Sequence, residues 1–345
     1  MLRKPWRFAG LVLAGVMMSS AIASCSPTAS TADNNEVKLT LVSYAVTQTA
    51  YENIIPQFAK YWYEKTGQTV TFDESYGGSG SQTRAVIDGL EADVVALALA
   101  LDTQEIAAAG LIEPGWEKEF PNDSIVHKSV AAIVKRDPNL AISTWSDLAQ
   151  NNLKVITANP KTSGGARWNF LVLWGAMTKA GKSETAALNF VETIYKNVPV
   201  LPKNARESSD VFYKQGQGDV LINYENEVIL AQQQGEQQSY IIPTDYNISI
   251  DNPIAIVDAN VDKHGNREVA EAFVEFLYTP AAQREFAEAG FRPVDPQISE
   301  EFSSQYPKIK NLFTAADLGG WEKIQSQFFD DNAVFDKIMT KAGKQ

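Results

Sequence analysis

The decamer Asn159-Pro160-Lys161-Thr162-Ser163-Gly164-Gly165-Ala166-Arg167-Trp168 sets a hydroxyl and two amides free of side chains just ahead of an apolar run from Trp168 to Met177. Those residue types in that order suit the capture of an anion by hydrogen-bond donors. Val155 to Thr157 reads as a short strand that Pro160 ends, Ser163 as an N-cap, and the run that follows as a helix. First-turn N–H groups have no partner inside a helix, and the aligned peptide dipoles add about half a positive charge there. A tetrahedral oxyanion fits such a site, and glycine keeps side chains from holding it away from the amides. Taken alone, Ser-Gly-Gly is equally an ordinary strand-to-helix turn. Gly77-Gly78-Ser79-Gly80-Ser81 makes a second glycine-rich entry, into a helix through Thr83, Val86, Ile87 and Leu90. A loop at Pro202-Lys203-Asn204-Ala205-Arg206 opens a helix over residues 207–215, and Asn223-Tyr224-Glu225-Asn226 starts one that runs to Gln234.

Catalytic chemistry finds little support. Ala176 to Ser183 satisfies a permissive phosphate-loop pattern, but it ends a helix where such a loop must follow a strand and open one. Gly181 is more simply a helix C-cap and Ser183 the next N-cap. Lys161-Thr162-Ser163-Gly164 is similar to a box of penicillin-recognising serine enzymes, yet no Ser-x-x-Lys supplies the nucleophile. The two histidines, His127 and His264, lie near no serine motif. No Cys/His cluster suits zinc and no loop suits calcium, so no catalytic residue, metal or cofactor is expected. A hydrolase of sulfate or phosphate esters would need a nucleophile and base pair that the chain does not offer.

The positioning elements follow from the rest of the chain. Met1 to Ser24 joins Arg3, Lys4 and Arg7 to an apolar run from Phe8 to Met18 and a small-residue tail, the pattern of an export signal over 1–24. Ile22-Ala23-Ser24-Cys25 resembles the bacterial lipobox, which accounts for a lone cysteine as a lipidation site; ordinary cleavage leaving a stray thiol is the alternative. Residues 25–36 are a polar tether. The remaining length of about 310 residues exceeds one ordinary core, so two domains are expected. The formal net charge of −12 becomes −15 without the signal, which disfavours nucleic acid as a partner.

Short apolar strands alternate with amphipathic helices, which predicts α/β domains with largely parallel sheets. Strands are expected at 37–43, 69–74, 93–100, 129–135 and 219–222, the one over 129–135 crossing between domains. Helices are expected at 48–65, with a kink at Pro56, at 103–109 and at 183–196, then beyond Arg267 at 269–278, 281–289 and about 321–338. Residues 37–128 and 254–345 would form lobe I and 129–253 lobe II. Four strand-to-helix turns, two in each half, are expected to converge on one cleft, where open α/β sheets bind ligands.

Val42-Ser43-Tyr44, Ser75 through Gly80, Asn159 through Trp168, Val198 to Leu201 with Ala205-Arg206, Gly218 to Ile222, Glu225-Asn226-Glu227 and Asp317 through Trp321 together resemble the sulfate-binding proteins of ABC importers. The resemblance implies a type II periplasmic-binding-protein fold, in which two α/β lobes joined by a hinge close on a dehydrated sulfate held without a salt bridge. The protein would be a monomer, periplasmic and anchored through Cys25, that hands its ligand to the membrane subunits of a permease. Carried over position by position, the donors are the backbone N–H groups of Ala45, Ser79, Gly164, Gly165 and Ala205, the Ser163 hydroxyl and the side chain of Tyr224. Family members often have aspartate at the position of Ala45 and tryptophan at that of Tyr224. Arg84, Arg167 and Arg206 follow the three anion loops and are expected to bond carbonyls of the same peptide units, with direct ligand contact or a plain surface role as alternatives. Thiosulfate or a molybdate-type oxyanion is the alternative ligand.

Overall fold

The computed structural model describes residues 35–343; the export signal, Cys25 and nearly all of the tether lie outside the described residues. β1 (Glu36–Tyr44), β2 (Thr69–Gly77), β3 (Val94–Ala96) and β4 (Ile125–Ser129) open a six-stranded sheet. The second sheet holds β5 (Ala131–Lys135), β6 (Val155–Ile156), β7 (Val220–Tyr224) and β8 (Ser239–Ile241) in the order β6-β7-β5-β8. β9 (Asn247–Ile248) leads to β10 (Ile250–Ile256), which returns to the first sheet; with β11 (Arg292–Pro293) its order is β11-β4-β10-β3-β1-β2. β12 (Leu312–Phe313) pairs with β9.

Parallel pairing joins β1 to β2 and β3, and β6 to β7. β10 runs antiparallel to both β3 and β4, and β5 antiparallel to β7 and β8, so each sheet is mixed where largely parallel sheets were expected. The cause is the traffic between sheets. The expected strand over 129–135 is two strands parted at Val130, the last residue before the chain enters the other sheet, and each half takes its partners there.

Alternation along the strands builds three layers around each sheet. Leu39 and Leu41 face α1 (Gln48–Thr66), while Val42 packs on the opposite side with Val86 of α2 (Ser79–Ile87) and Ile106 of α3 (Ala100–Ala108). In the second sheet, Ile133 and Ile222 share a core with α4 (Gly164–Lys179) and α5 (Glu184–Lys196). Ala132 and Leu221 turn to α6 (Ala205–Tyr213) and α7 (Glu225–Gln233). α4 is buried from Gly164 to Ala176, which explains why its sequence is apolar all round rather than striped.

After α8 (Asp258–His264), the helices α9 (Arg267–Leu277) and α10 (Pro280–Glu288) pack on α1, and α11 (Pro296–Glu301) follows α10. The expected helix over 321–338 is broken into α12 (Trp321–Ile324), a π-helical turn (Gln325–Phe329) and α13 (Val334–Lys341), with Asn332 in the left-handed region. This segment was expected with lobe I. Instead Phe328 and Phe329 pack on Phe170 of α4, and Phe335 on Tyr195 of α5, because α4 leaves an aromatic face to be covered. Pro56 sits inside α1 without ending it, and Gly67 in the left-handed conformation stops the helix. β3 is shorter than the expected 93–100: Ala98 N–H turns aside to donate to Ser79 Oγ (2.9 Å) and α3 begins at Ala100.

Candidate anion-binding site

Four helical starts and one strand end surround a small cavity. Ala45 begins a 3-10 turn after β1, Ser79 is the first residue of α2, Gly164 and Gly165 open α4, and Ala205 opens α6. Tyr224 ends β7. All seven residues expected as donors line this one cavity, together with Tyr44, Val46, Gly77, Gly78, Ala98 and Asn204. As first-turn groups, the five amides have no partner within their own helices.

Local sequence explains each entry. Ser163 caps α4 by accepting the Ala166 N–H at 3.3 Å, which leaves its hydroxyl hydrogen free to be donated. Asn204 caps α6 by accepting the Glu207 N–H at 2.9 Å, so that helix starts two residues before the expected position 207. Tyr224 is both the last residue of β7 and the N-cap residue of α7, and its N–H donates to Asn223 Oδ1. Packing also requires the glycines. A Cβ on Gly164 would stand 2.6 Å from Ala98 Cβ, and one on Gly165 2.6 Å from the Tyr224 ring.

The three arginines have three different surroundings, and none lines the cavity. Arg167 meets the expectation of a carbonyl partner, donating to Pro160 O at 3.1 Å. It also pairs with Asp102 Oδ1 at 3.3 Å in a nearly dry ion pair, the side chains being 8% and 0% exposed. Asp102 accepts the Ser79 hydroxyl in turn. Burial pushes the Asp102 carboxyl up, against the opposing pull of Arg167 and Ser79. Arg206 departs from the expectation: it bonds both oxygens of Glu227 at 2.9 and 3.1 Å, because that buried carboxylate needs a cation. Arg84 donates to Ser81 Oγ at 3.3 Å on the exposed side of α2.

The sequence assigns no role to Asp102, and Tyr44 and Glu227 enter only within motifs of the resemblance, without roles of their own. Asp102 carries one signal in retrospect, a lone carboxylate closing the apolar run from Val94 to Leu101. Among the described residues no group of His, Cys, Asp and Glu could hold a metal, and no helix is long and apolar enough to cross a membrane.

A family model described as bacterial extracellular solute-binding protein matches residues 39–292. A sulfate-binding protein of Synechocystis sp. is 58% identical over 344 residues, 97% of this chain and 98% of that protein. The chain belongs to the sulfate-binding protein family. It is a family of binding proteins, not enzymes, and of ABC importers. The solved structure of the sulfate-binding protein SubI of Mycobacterium tuberculosis superposes with a TM-score of 0.78 at 37% identity, covering 85% of this chain and all of that one. The α/β periplasmic-binding-protein fold of the family is therefore the fold of this chain. A thiosulfate-binding protein of Pseudomonas aeruginosa is 34% identical over 96% of this chain and 97% of its own length.

Proposed function

We propose that this protein holds one dehydrated sulfate between two lobes and delivers it to the membrane subunits of an ABC permease. The six-stranded sheet would form one lobe and the four-stranded sheet with the C-terminal helices the other. The observation that carries this reading is the convergence of Ala45, Ser79, Ser163, Gly164, Gly165, Ala205 and Tyr224 on one cavity. Sulfate is fully ionised at neutral pH and offers only acceptors, so five amides and two hydroxyls can satisfy it. Each hydrogen bond to a charged group is worth about 1.5 to 3 kcal/mol net.

Selection against phosphate follows from the same donors. Hydrogen phosphate brings a proton that needs an acceptor, and no carboxylate is among the residues lining the cavity. Leaving that proton unpaired costs about 1 to 3 kcal/mol. Asp102 is turned to Ser79 and Arg167 instead. Thiosulfate is a second candidate, favoured by the relative that bears its name.

Isothermal titration of the desalted protein with sulfate, thiosulfate, phosphate and molybdate tests the reading. Sulfate should bind most tightly, and Ser163→Ala should cost about 1 to 3 kcal/mol; a parent protein that ignores sulfate overturns it. The lipid anchor at Cys25 is a proposal from sequence alone. Mass spectrometry of protein from a membrane fraction should find an acylated Cys25 at the N-terminus, and a mature chain that begins elsewhere and carries Cys25 as a free thiol would refute it.

A further inference from the structure

Two phenols meet at the cavity. Tyr44 ends β1 directly before the Ala45 amide and Tyr224 ends β7, with ring centroids 6.1 Å apart and planes tilted by 49°. Both residues line the cavity, at 3% and 1% exposure, and the hydroxyl oxygen of each has no hydrogen-bond partner. The Tyr224 hydroxyl is fixed beside the cradle, since a Cβ on Gly165 would stand 2.9 Å from Tyr224 Oη. A buried hydroxyl left unpaired is costly, and phenylalanine would fill either place without that cost. The rest of the Tyr44 environment gives its hydroxyl no partner either. The other neighbouring ring is His127, centroid 6.4 Å away, and neither of its nitrogens bonds the Tyr44 hydroxyl.

From this we infer that the Tyr44 hydroxyl is a further ligand group of the cavity, donating to the same tetrahedral oxyanion as the Tyr224 hydroxyl. The inference rests on the reading of the cavity as a sulfate site. A carboxylate presents about four acceptor positions on two oxygens, so the four oxygens of sulfate present roughly eight. The five amides, Ser163 and Tyr224 fill seven, and Tyr44 completes two donors per oxygen. Burial pushes the ionisation of both phenols well up, so each keeps its proton to donate throughout the working pH range. Because Tyr44 and Ala45 are consecutive, one strand end would supply a side-chain and a main-chain donor together.

The test uses the full chain with Tyr44→Phe and Ser163→Ala, titrated with sulfate and melted with and without it. Tyr44→Phe should lower sulfate affinity by about tenfold or more. Its melting temperature without sulfate should stay level or rise, because the lost hydroxyl has no partner in the protein. The sulfate-induced gain in melting temperature should shrink. If Tyr44→Phe binds sulfate within twofold of the parent while Ser163→Ala is weakened, the sulfate site stands and the Tyr44 inference falls, its hydroxyl being served by a buried water near His127. A Tyr44→Phe protein that is already less stable without sulfate also overturns it, as a structural role. Failure of the parent to bind sulfate removes the reading of the cavity itself, and this inference with it.

Discussion

Replacing Gly78 with alanine should separate anion binding from fold stability. Gly78 caps α2 at φ −68° and ψ 132°, a conformation alanine adopts without strain. Its missing Cβ is the point at issue: a methyl group there would stand 2.5 Å from Thr162 O and 3.1 Å from Lys203 O. These are backbone atoms of the two loops that carry Ser163 and Ala205, and the Thr162 hydroxyl ties them together by donating to Lys203 O at 2.7 Å. Relief therefore means moving that pair of loops as a block away from α2. A carbon–oxygen contact settles near about 3.3 Å, so the shift is roughly 0.8 Å. Donor distances near 2.9 Å stretched by that much no longer make hydrogen bonds. Losing one bond to a charged group costs about 1.5 to 3 kcal/mol, a weakening of roughly 10- to 150-fold. Thermal unfolding without sulfate should change little, since about 0.4 to 1 kcal/mol gained through the unfolded chain offsets a poorer cap. Isothermal titration and a melting curve read the two quantities separately. Sulfate affinity within twofold of the parent would refute the argument that the three loops must touch for the anion to be held.

Arg167→Met leaves Asp102 buried without its cation and should cost about 3 to 5 kcal/mol in denaturant unfolding. Arg84→Met should stay within about 0.5 kcal/mol, so equal losses would contradict the different surroundings of the two arginines. Lys161 Nζ donates to Phe329 O at 2.9 Å and Asp336 Oδ2 at 3.0 Å; Lys161→Ala should loosen the C-terminal segment, read as faster proteolysis after residue 329, and an unchanged cleavage rate would refute this. His264 bonds Glu91 through Nε2 and Asp93 through Nδ1, and these partners raise its pKa. A raised histidine pKa stabilises the fold fully below the unfolded value near about 6.5 and progressively less as pH rises through the folded value. The melting-temperature gap between the parent and His264→Gln should thus be widest at mildly acid pH and close at alkaline pH, and a gap independent of pH would count against the protonated pair.

Capping made the cradle legible. Ser163, Gly164 and Gly165 could be placed because an N-cap involves one hydroxyl and the next three amides, all within a turn. The same holds for Ser183 ahead of α5. Where the deciding partner is far along the chain, the residues are silent. The division at Val130 depends on β10 and β7, which lie about 90 residues or more downstream. Asp102 meets Arg167 across 65 positions, and Arg206 prefers Glu227 to the nearer carbonyls because a buried carboxylate outweighs a neutral acceptor. The broken C-terminal helix is likewise decided by the aromatic face of α4 that it covers, not by its own helical pattern.

The meeting of Gly78 with Thr162 and Lys203, and of Gly164 with Ala98 and Leu99, also bears on time. Most of the cavity wall is buried, so on the proposed reading an anion would leave only when those contacts part. Escape would then be a unimolecular event of the loaded protein, whose rate would be that of loop separation and would not respond to how much free anion surrounds it. Stirring, dilution or competing salt would change how quickly an emptied protein refills but not how quickly a filled one empties. Anything that hastens unloading would have to grip the two sheets and pull the loops apart.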